Sequence, residues 1–380
     1  MNKKRYSTVL ATVCLAFLGV AMWSCDEQPT NPEVIQGRHG ELFLRSNVWE
    51  VTGELCATHF ASVDEAKSQA RDHVDATKAF VDSLHRHGKE FLFVFVPTKP
   101  SVYPEYLPQE YRDRIADFSL EEYYIQLFQE RHLPHIDFYH YFRDIKDTVS
   151  YPLYTLTGSH WAQHTMPMVA DTVFRYLETL TGKPYPTVVR AETLTTQYTV
   201  QDQELEVALN PRRPLRKPAL PDGHFVLRDT LAPDERPKLL VIGDGNFTPL
   251  KNSSFTQAFN EWDFWIYNKY YQASRPHCQW GYLEFFPQRY EILEGADMVM
   301  AFVSADYFYH YLFDIEETAY RLWAHGPLSE EELIDMKMNE IKSNPEWYDA
   351  IVKQAEERGI GVEENLRNNA IYVLNNTKHE

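Results

Sequence analysis

Three apolar runs punctuate the chain: Phe91-Leu92-Phe93-Val94-Phe95-Val96, Leu239-Leu240-Val241-Ile242 after Lys238, and Met298-Val299-Met300-Ala301-Phe302-Val303. Unbroken runs of this length predict central strands buried on both faces. Pro97 ends the first and Gly243 the second. Elsewhere the spacing turns helical. Ala66, Ala70, Val74, Phe80, Val81 and Leu84 fall on one face of residues 62–87, with Thr77 as the polar interruption, and Ser62 and Glu65 form a capping box. Residues 120–132 predict a second helix, Ile136-Asp137-Phe138 a short strand, 166–180 a long amphipathic helix, and 38–44 a turn followed by a strand. Helices alternating with buried strands predict an α/β fold with a parallel sheet between helical layers.

Two stretches stand apart from this alternation. The run PRRPLRKPALP at 211–221 is basic and proline-rich; strands of the same sheet flank it, so it reads as a surface loop. Beyond Gly326 three helices are predicted. Ser329 caps the first, which ends at Lys342; Asn344-Pro345 starts the second, presenting Trp347, Ile351 and Ala355 and stopped by Gly359; residues 362–374 form the third around Leu366, Ala370 and Val373. The expected role of this appendage, residues 326–380, is packing, with partner docking as the alternative.

At the N-terminus Lys3, Lys4 and Arg5 precede an apolar stretch from Val9 to Met22, then Trp23-Ser24-Cys25. That layout predicts a lipoprotein signal over 1–24 with lipidation of Cys25, although Met22 and Trp23 depart from the usual small-residue junction and leave ordinary secretory cleavage open. The apolar stretch is shorter than the roughly 20 residues of a membrane span. Residues 25–36, polar and proline-punctuated, read as a tether that joins no core. In an oxidising envelope Cys56 and Cys278 are free to bridge or to remain thiols, because spacing does not establish proximity.

The composition, 44% hydrophobic and 24% charged, describes a packed globular chain. The net charge of −18 excludes a nucleic-acid partner and becomes about −21 once the three basic leader residues are removed. Aromatic residues make up 14%, which suits a carbohydrate-facing protein and an ordinary aromatic core equally well. Short histidine spacings occur at His132, His135, His140 and at His160, His164, but without the HExxH or CxxC patterns of a metal site, and no glycine-rich phosphate loop is present. No metal and no cofactor are expected.

The chemistry-bearing segments fall in a fixed order: Val96-Pro97-Thr98-Lys99-Pro100-Ser101-Val102-Tyr103-Pro104-Glu105-Tyr106-Leu107-Pro108, then YTLTGSHW at 154–161, then Val241-Ile242-Gly243-Asp244-Gly245-Asn246-Phe247. Together with Gly40-Glu41-Leu42-Phe43, these resemble the AlgX/AlgJ-type polysaccharide O-acetyltransferases, a branch of the SGNH hydrolase-like proteins, over residues 37–325. The resemblance implies an SGNH-like, flavodoxin-like parallel-sheet sandwich with the small C-terminal helical appendage. It also implies a triad: a serine at a strand-to-helix turn, a histidine to take its proton, and an aspartate two residues before the histidine to fix the imidazole.

Carried over block by block, His160 holds the base position, Gly158 the acid position and Gly245 the nucleophile position, while Asp244 braces the turn. Two of the three reacting groups are then missing. Glycine at 245 is expected because it tolerates a strained turn. Trp161, Lys99, Tyr103 and Asn246 are expected to contact ligand. Thr248 and Ser254 are the candidates for a relocated nucleophile, and Ser159 is expected to point away from the site. His160 has two readings, a general base on water or a sugar hydroxyl and, more commonly for a lone histidine beside tryptophan, a structural or ligand-contacting residue.

The functional expectation is an envelope lipoprotein, periplasmic or outer-membrane associated, impaired in catalysis and serving polysaccharide binding or assembly. Its partners would be a polysaccharide and a membrane-bound O-acyltransferase. The alternative is an active O-acetyltransferase or esterase that uses Thr248 or Ser254.

Overall fold

A computed structural model describes residues 31–274, 279–283 and 288–377. The expected leader and Cys25 lie outside the described residues, as does Cys278; Cys56 carries a half-buried free thiol. No described helix is long and apolar enough to cross a membrane.

Seven strands form the central sheet: β1 (Glu90–Val96), β2 (His135–Asp137), β3 (Leu239–Gly243), β4 (Trp262–Ile266), β5 (Tyr270–Ala273), β6 (Gln279–Tyr282) and β7 (Met298–Ser304). Their spatial order is β6-β5-β4-β3-β7-β1-β2, and the pairs from β4 through β2 are parallel. The three apolar runs thus form the adjacent strands β3, β7 and β1. Alternation sends Phe91, Phe93 and Phe95 to one face of β1 and Leu92, Val94 and Val96 to the other. The first face packs under the Val63–Arg86 and Leu120–Glu130 helices, the second under Phe138–Ile145 and Met166–Thr181. Each fully buried phenylalanine side chain contributes about 1.5–3 kcal/mol relative to exposure. The chain therefore has the expected α/β sandwich, with a mixed sheet in place of a purely parallel one.

The differences are local. Antiparallel β5 and β6 extend the sheet at one edge, beyond β4. The hairpin between β4 and β5 turns through Tyr267 and Asn268, both left-handed, without the glycine that usually signals such a turn. Phe138 starts a helix capped by the Asp137 side chain and does not extend β2. Val34–Gln36, assigned by composition to the tether, pairs with Leu42–Leu44, and Val34 and Ile35 are buried in two small apolar clusters. Inside the 211–221 loop, Leu220–Pro221 pairs with Leu194–Thr195. The three C-terminal helices run Glu330–Ser343, Pro345–Arg358 and Val362–Thr377 and share an apolar core of their own built from Leu333, Ile341, Ile351, Leu366 and Ala370.

Candidate active site

Parallel strands bring their carboxyl ends to one edge of a sheet, and loops that leave those ends form the natural place for a site. Here three such loops converge. Pro97 and Thr98 follow β1, Gly245 and Asn246 follow β3, and Asp306 and Tyr307 follow Ser304 at the end of β7; with Asn47, Ser159, His160 and Tyr267 they line a cavity of about 110 Å³.

Gly243 closes β3 where a Cβ would stand only 2.2 Å from the Phe302 carbonyl oxygen, so the approach of β3 to β7 requires glycine. Asp244 then fixes the turn. One of its carboxylate oxygens accepts from the Asn246 backbone (2.7 Å) and side chain (2.9 Å), the other from the Ser304 backbone (2.7 Å) and hydroxyl (2.8 Å). The Ser304 hydroxyl is also 2.8 Å from Asp306, which in turn accepts from Asn47 Nδ2 at 2.8 Å. A hydroxyl has a single proton, so it cannot donate to two carboxylates at once. Protonation of Asp306, which sets in as pH falls toward 6, removes the conflict. Burial and the adjacent Asp244 charge push its carboxyl up to about 6.

Gly245 faces the imidazole directly: a Cβ there would lie 3.0 Å from His160 Nε2. Its φ is outside the left-handed region, contrary to the expectation of a strained turn, so the backbone does not demand glycine. A serine there would stand in tight contact with the imidazole, and the glycine supplies no hydroxyl. The Tyr267 hydroxyl on the cleft wall lies 3.4 Å from that of Tyr307, and burial next to Asp244 pushes the Tyr267 phenol up to about 12.

The missing acid is a more substantial correction. A Cβ at Gly158 would come within 2.5 Å of the Gln201 carbonyl oxygen and 2.9 Å of Thr155 Oγ1, so no aspartate fits. Glu204, at the start of the short helix Glu204–Leu209, takes its place: Oε1 is 2.8 Å from His160 Nδ1. The same oxygen accepts from the Ser159 amide (2.7 Å) and hydroxyl (2.6 Å) and lies 3.3 Å from the His160 amide. This arrangement places a proton on Nδ1 and leaves the Nε2 lone pair aimed over Gly245. Burial by itself would lower the His160 pKa, but the charge and hydrogen bond of Glu204 outweigh it and raise it. Burial would likewise raise Glu204, but the His160 charge and the bonds from His160 and Ser159 lower it. His160 is therefore held by a carboxylate and is not a lone histidine.

The sign of the coupling is testable. A histidine raised on folding adds stability at low pH that is lost as pH rises through its folded pKa. Glu204→Gln removes the charge, so the His160 pKa is expected to fall toward and below its ordinary value, followed by NMR titration of the imidazole; an unmoved pKa would mean that Glu204 does not act on it.

The remaining expected site residues divide. Asn246 lines the cleft. Lys99, Tyr103 and Trp161 are buried and bonded to protein. The Lys99 ammonium meets Glu41 at 2.8 Å and the carbonyls of Leu42, Thr155 and Leu156; the Tyr103 hydroxyl accepts from the Leu153 amide; Trp161 Nε1 donates to the Asn246 carbonyl. They brace the segments around residues 41, 98 and 154–161 and the turn after β3 against one another and do not line the cleft. The Ser254 hydroxyl donates to the Phe225 carbonyl, and neither Ser254 nor Thr248 lines the cleft. Ser159, expected to point away, lines it.

Glu204, Ser304, Asp306, Tyr267 and Tyr307 were not identified from the sequence. Ser304 and Asp306 follow a buried strand directly, a signal of position that could have found them. Glu204 lies 44 residues from His160 with no motif to link the two.

The model for the SGNH hydrolase-like domain of the acetyltransferase AlgX matches residues 34–243. The chain belongs to the AlgX-type SGNH hydrolase-like family. Its solved neighbours include the O-acetyltransferase domain of Pseudomonas putida AlgJ, at 14% identity and a TM-score of 0.47, covering 76% of this chain and all of that one (100%). Pseudomonas aeruginosa AlgX is similar at 15% identity and a TM-score of 0.47, covering 78% of this chain and 69% of that one. No curated protein matches the chain. The matched stretch includes His160 and Glu204 and ends at residue 243, one residue before Asp244. Among the described residues, no group of three or more histidine, cysteine or acidic side chains is arranged to hold a metal.

Proposed function

We propose that this AlgX-type family member is a lipoprotein of the cell envelope, anchored through Cys25, whose cleft binds a polysaccharide and which does not form an acyl-enzyme at position 245. The observation that carries this reading is Gly245 opposite His160 Nε2, 3.0 Å from the would-be Cβ: among the described residues, none supplies a hydroxyl at that position for the base to act on. Deleting the nucleophile of a triad costs on the order of a millionfold in rate. Tyr267 and Tyr307 on the cleft wall offer aromatic faces with polar edges, surfaces on which pyranose rings pack. Binding without covalent turnover suits a subunit that holds polymer for a membrane-bound O-acyltransferase.

The test has two parts. The full chain is titrated with a panel of acidic and neutral polysaccharides by calorimetry, and its intact mass is taken after incubation with an acetyl ester. Binding that Tyr267→Ala weakens about tenfold, with no acetyl adduct on the wild-type protein, is the expected result. An acetyl adduct on wild-type protein, or no binding across the panel, overturns the reading.

A further inference from the structure

Position 245 carries no side-chain hydroxyl, yet His160 is paired with an acid, Glu204, supplied by another element. Glu204 receives hydrogen bonds from the Ser159 amide, the Ser159 hydroxyl and His160 Nδ1, and the result is an imidazole whose free nitrogen points over Gly245. Among the described residues, no oxygen occupies the place a serine hydroxyl would fill, and the position borders the cavity. The oxygen that His160 activates must then come from outside the chain.

The geometry points to a non-covalent ester hydrolysis, in which the His160–Glu204 pair activates water in the space over Gly245 to remove an O-acetyl group from a sugar bound in the cleft. This inference rests on the reading of position 245 as lacking a nucleophile. Water transfers a proton to His160 Nε2 while its oxygen bonds to the ester carbonyl carbon, giving a tetrahedral oxyanion. Collapse breaks the bond between that carbon and the sugar oxygen, and the sugar oxygen takes the proton back from Nε2. Acetic acid and the free sugar hydroxyl leave, so protons and electrons balance with water as the only co-reactant.

Two neutral donors line the same cavity for the oxyanion. The Tyr267 hydroxyl lies 3.4 Å from that of Tyr307 and has its own proton to give when Tyr307 donates to it, and the Asn246 side-chain amide has a second hydrogen beyond the one it gives to Asp244. Both sit on the wall that the turn after β3 and the β4–β5 hairpin build. His160 is the catalytic base in this scheme, and Glu204 is a positioning residue that acts through it. The charged groups acting on His160 are Glu204, Asp244 and Asp306.

The experiment uses 4-nitrophenyl acetate with the full chain. Wild type is expected to hydrolyse it in a single phase, without a burst and without an acetyl adduct. His160→Ala should lower the rate about a hundredfold or more, the usual contribution of a general base. The rate should rise with pH through the His160 titration, and in Glu204→Gln that rise should move to lower pH while the maximum rate falls; a merely structural role for Glu204 would leave the profile in place. Gly245→Ser serves as the second variant, with a burst and an adduct showing that the ester reaches the site. A wild-type rate no greater than that of His160→Ala overturns the inference and leaves the binding role standing. A burst with an adduct on wild type overturns both.

Discussion

Gly245→Ser should convert the cleft into one that is acetylated by an activated acetyl ester, with a burst of product and an acetyl adduct on the new serine. One substitution suffices because the rest of the relay is in place: Glu204 holds His160 Nδ1 at 2.8 Å and Nε2 faces position 245. The backbone at 245 is outside the left-handed region, so a side chain brings no conformational strain. The contact of 3.0 Å between Cβ and Nε2 is tight. It is relieved if the half-exposed imidazole withdraws by a few tenths of an ångström. With the hydroxyl and base adjacent, acylation should exceed that of Gly245→Ser combined with His160→Ala by roughly a hundredfold to ten-thousandfold. Restoring aspartate at 158 as well would work against this, since its Cβ would collide with the Gln201 carbonyl at 2.5 Å. A folded Gly245→Ser protein that stays unacylated would remove the argument that this turn is an acyl-transfer elbow.

Lys99→Met should destabilise the protein by about 3–5 kcal/mol, the cost of breaking a buried ion pair by removing one member. Lys99 is 1% exposed, and its ammonium holds Glu41 and three backbone carbonyls, at Leu42, Thr155 and Leu156. Burial lowers the ammonium pKa and the Glu41 charge works against that, so the pair survives only because each partner compensates the other. Methionine would fill the volume but leave Glu41 without its cation and the three carbonyls without the ammonium, although the Leu156 carbonyl keeps the Leu42 amide. Urea unfolding measures the loss, and a Lys99→Met, Glu41→Leu double variant should recover part of it, because no lone charge is then buried. A loss below about 1 kcal/mol for the single variant would show that the cage is not what holds these segments together.

These two expectations concern different kinds of information. The three apolar runs and the helical periods between them determined the α/β layering, since residues buried on both faces have nowhere to lie except the middle of a sheet. The capping residues fixed helix starts at Ser62 and Ser329, where side-chain oxygens accept the amides of Glu65 and Glu332. The order of the loop after β1, the His160 block and the turn after β3 indicated the family and placed His160 and Gly245 in one site. All of this is local chemistry, legible because each signal spans a few residues.

What the tertiary structure alone decided is which distant groups meet. Glu204 was invisible as the acid because its helix carries no mark of the histidine it supports, and only packing beside Gln201 and Asp202 brings it there. Lys99, Tyr103 and Trp161 read as ligand contacts from their motif, yet burial turns each inward to satisfy backbone groups that no water can reach. The antiparallel strand β5 escaped notice because the hairpin that joins it to β4 places Tyr267 and Asn268 where glycine is customary. Local sequence sets the strands, helices and turns; the partner of a charge or a polar atom depends on where the whole chain leaves it, and that is a property of the fold.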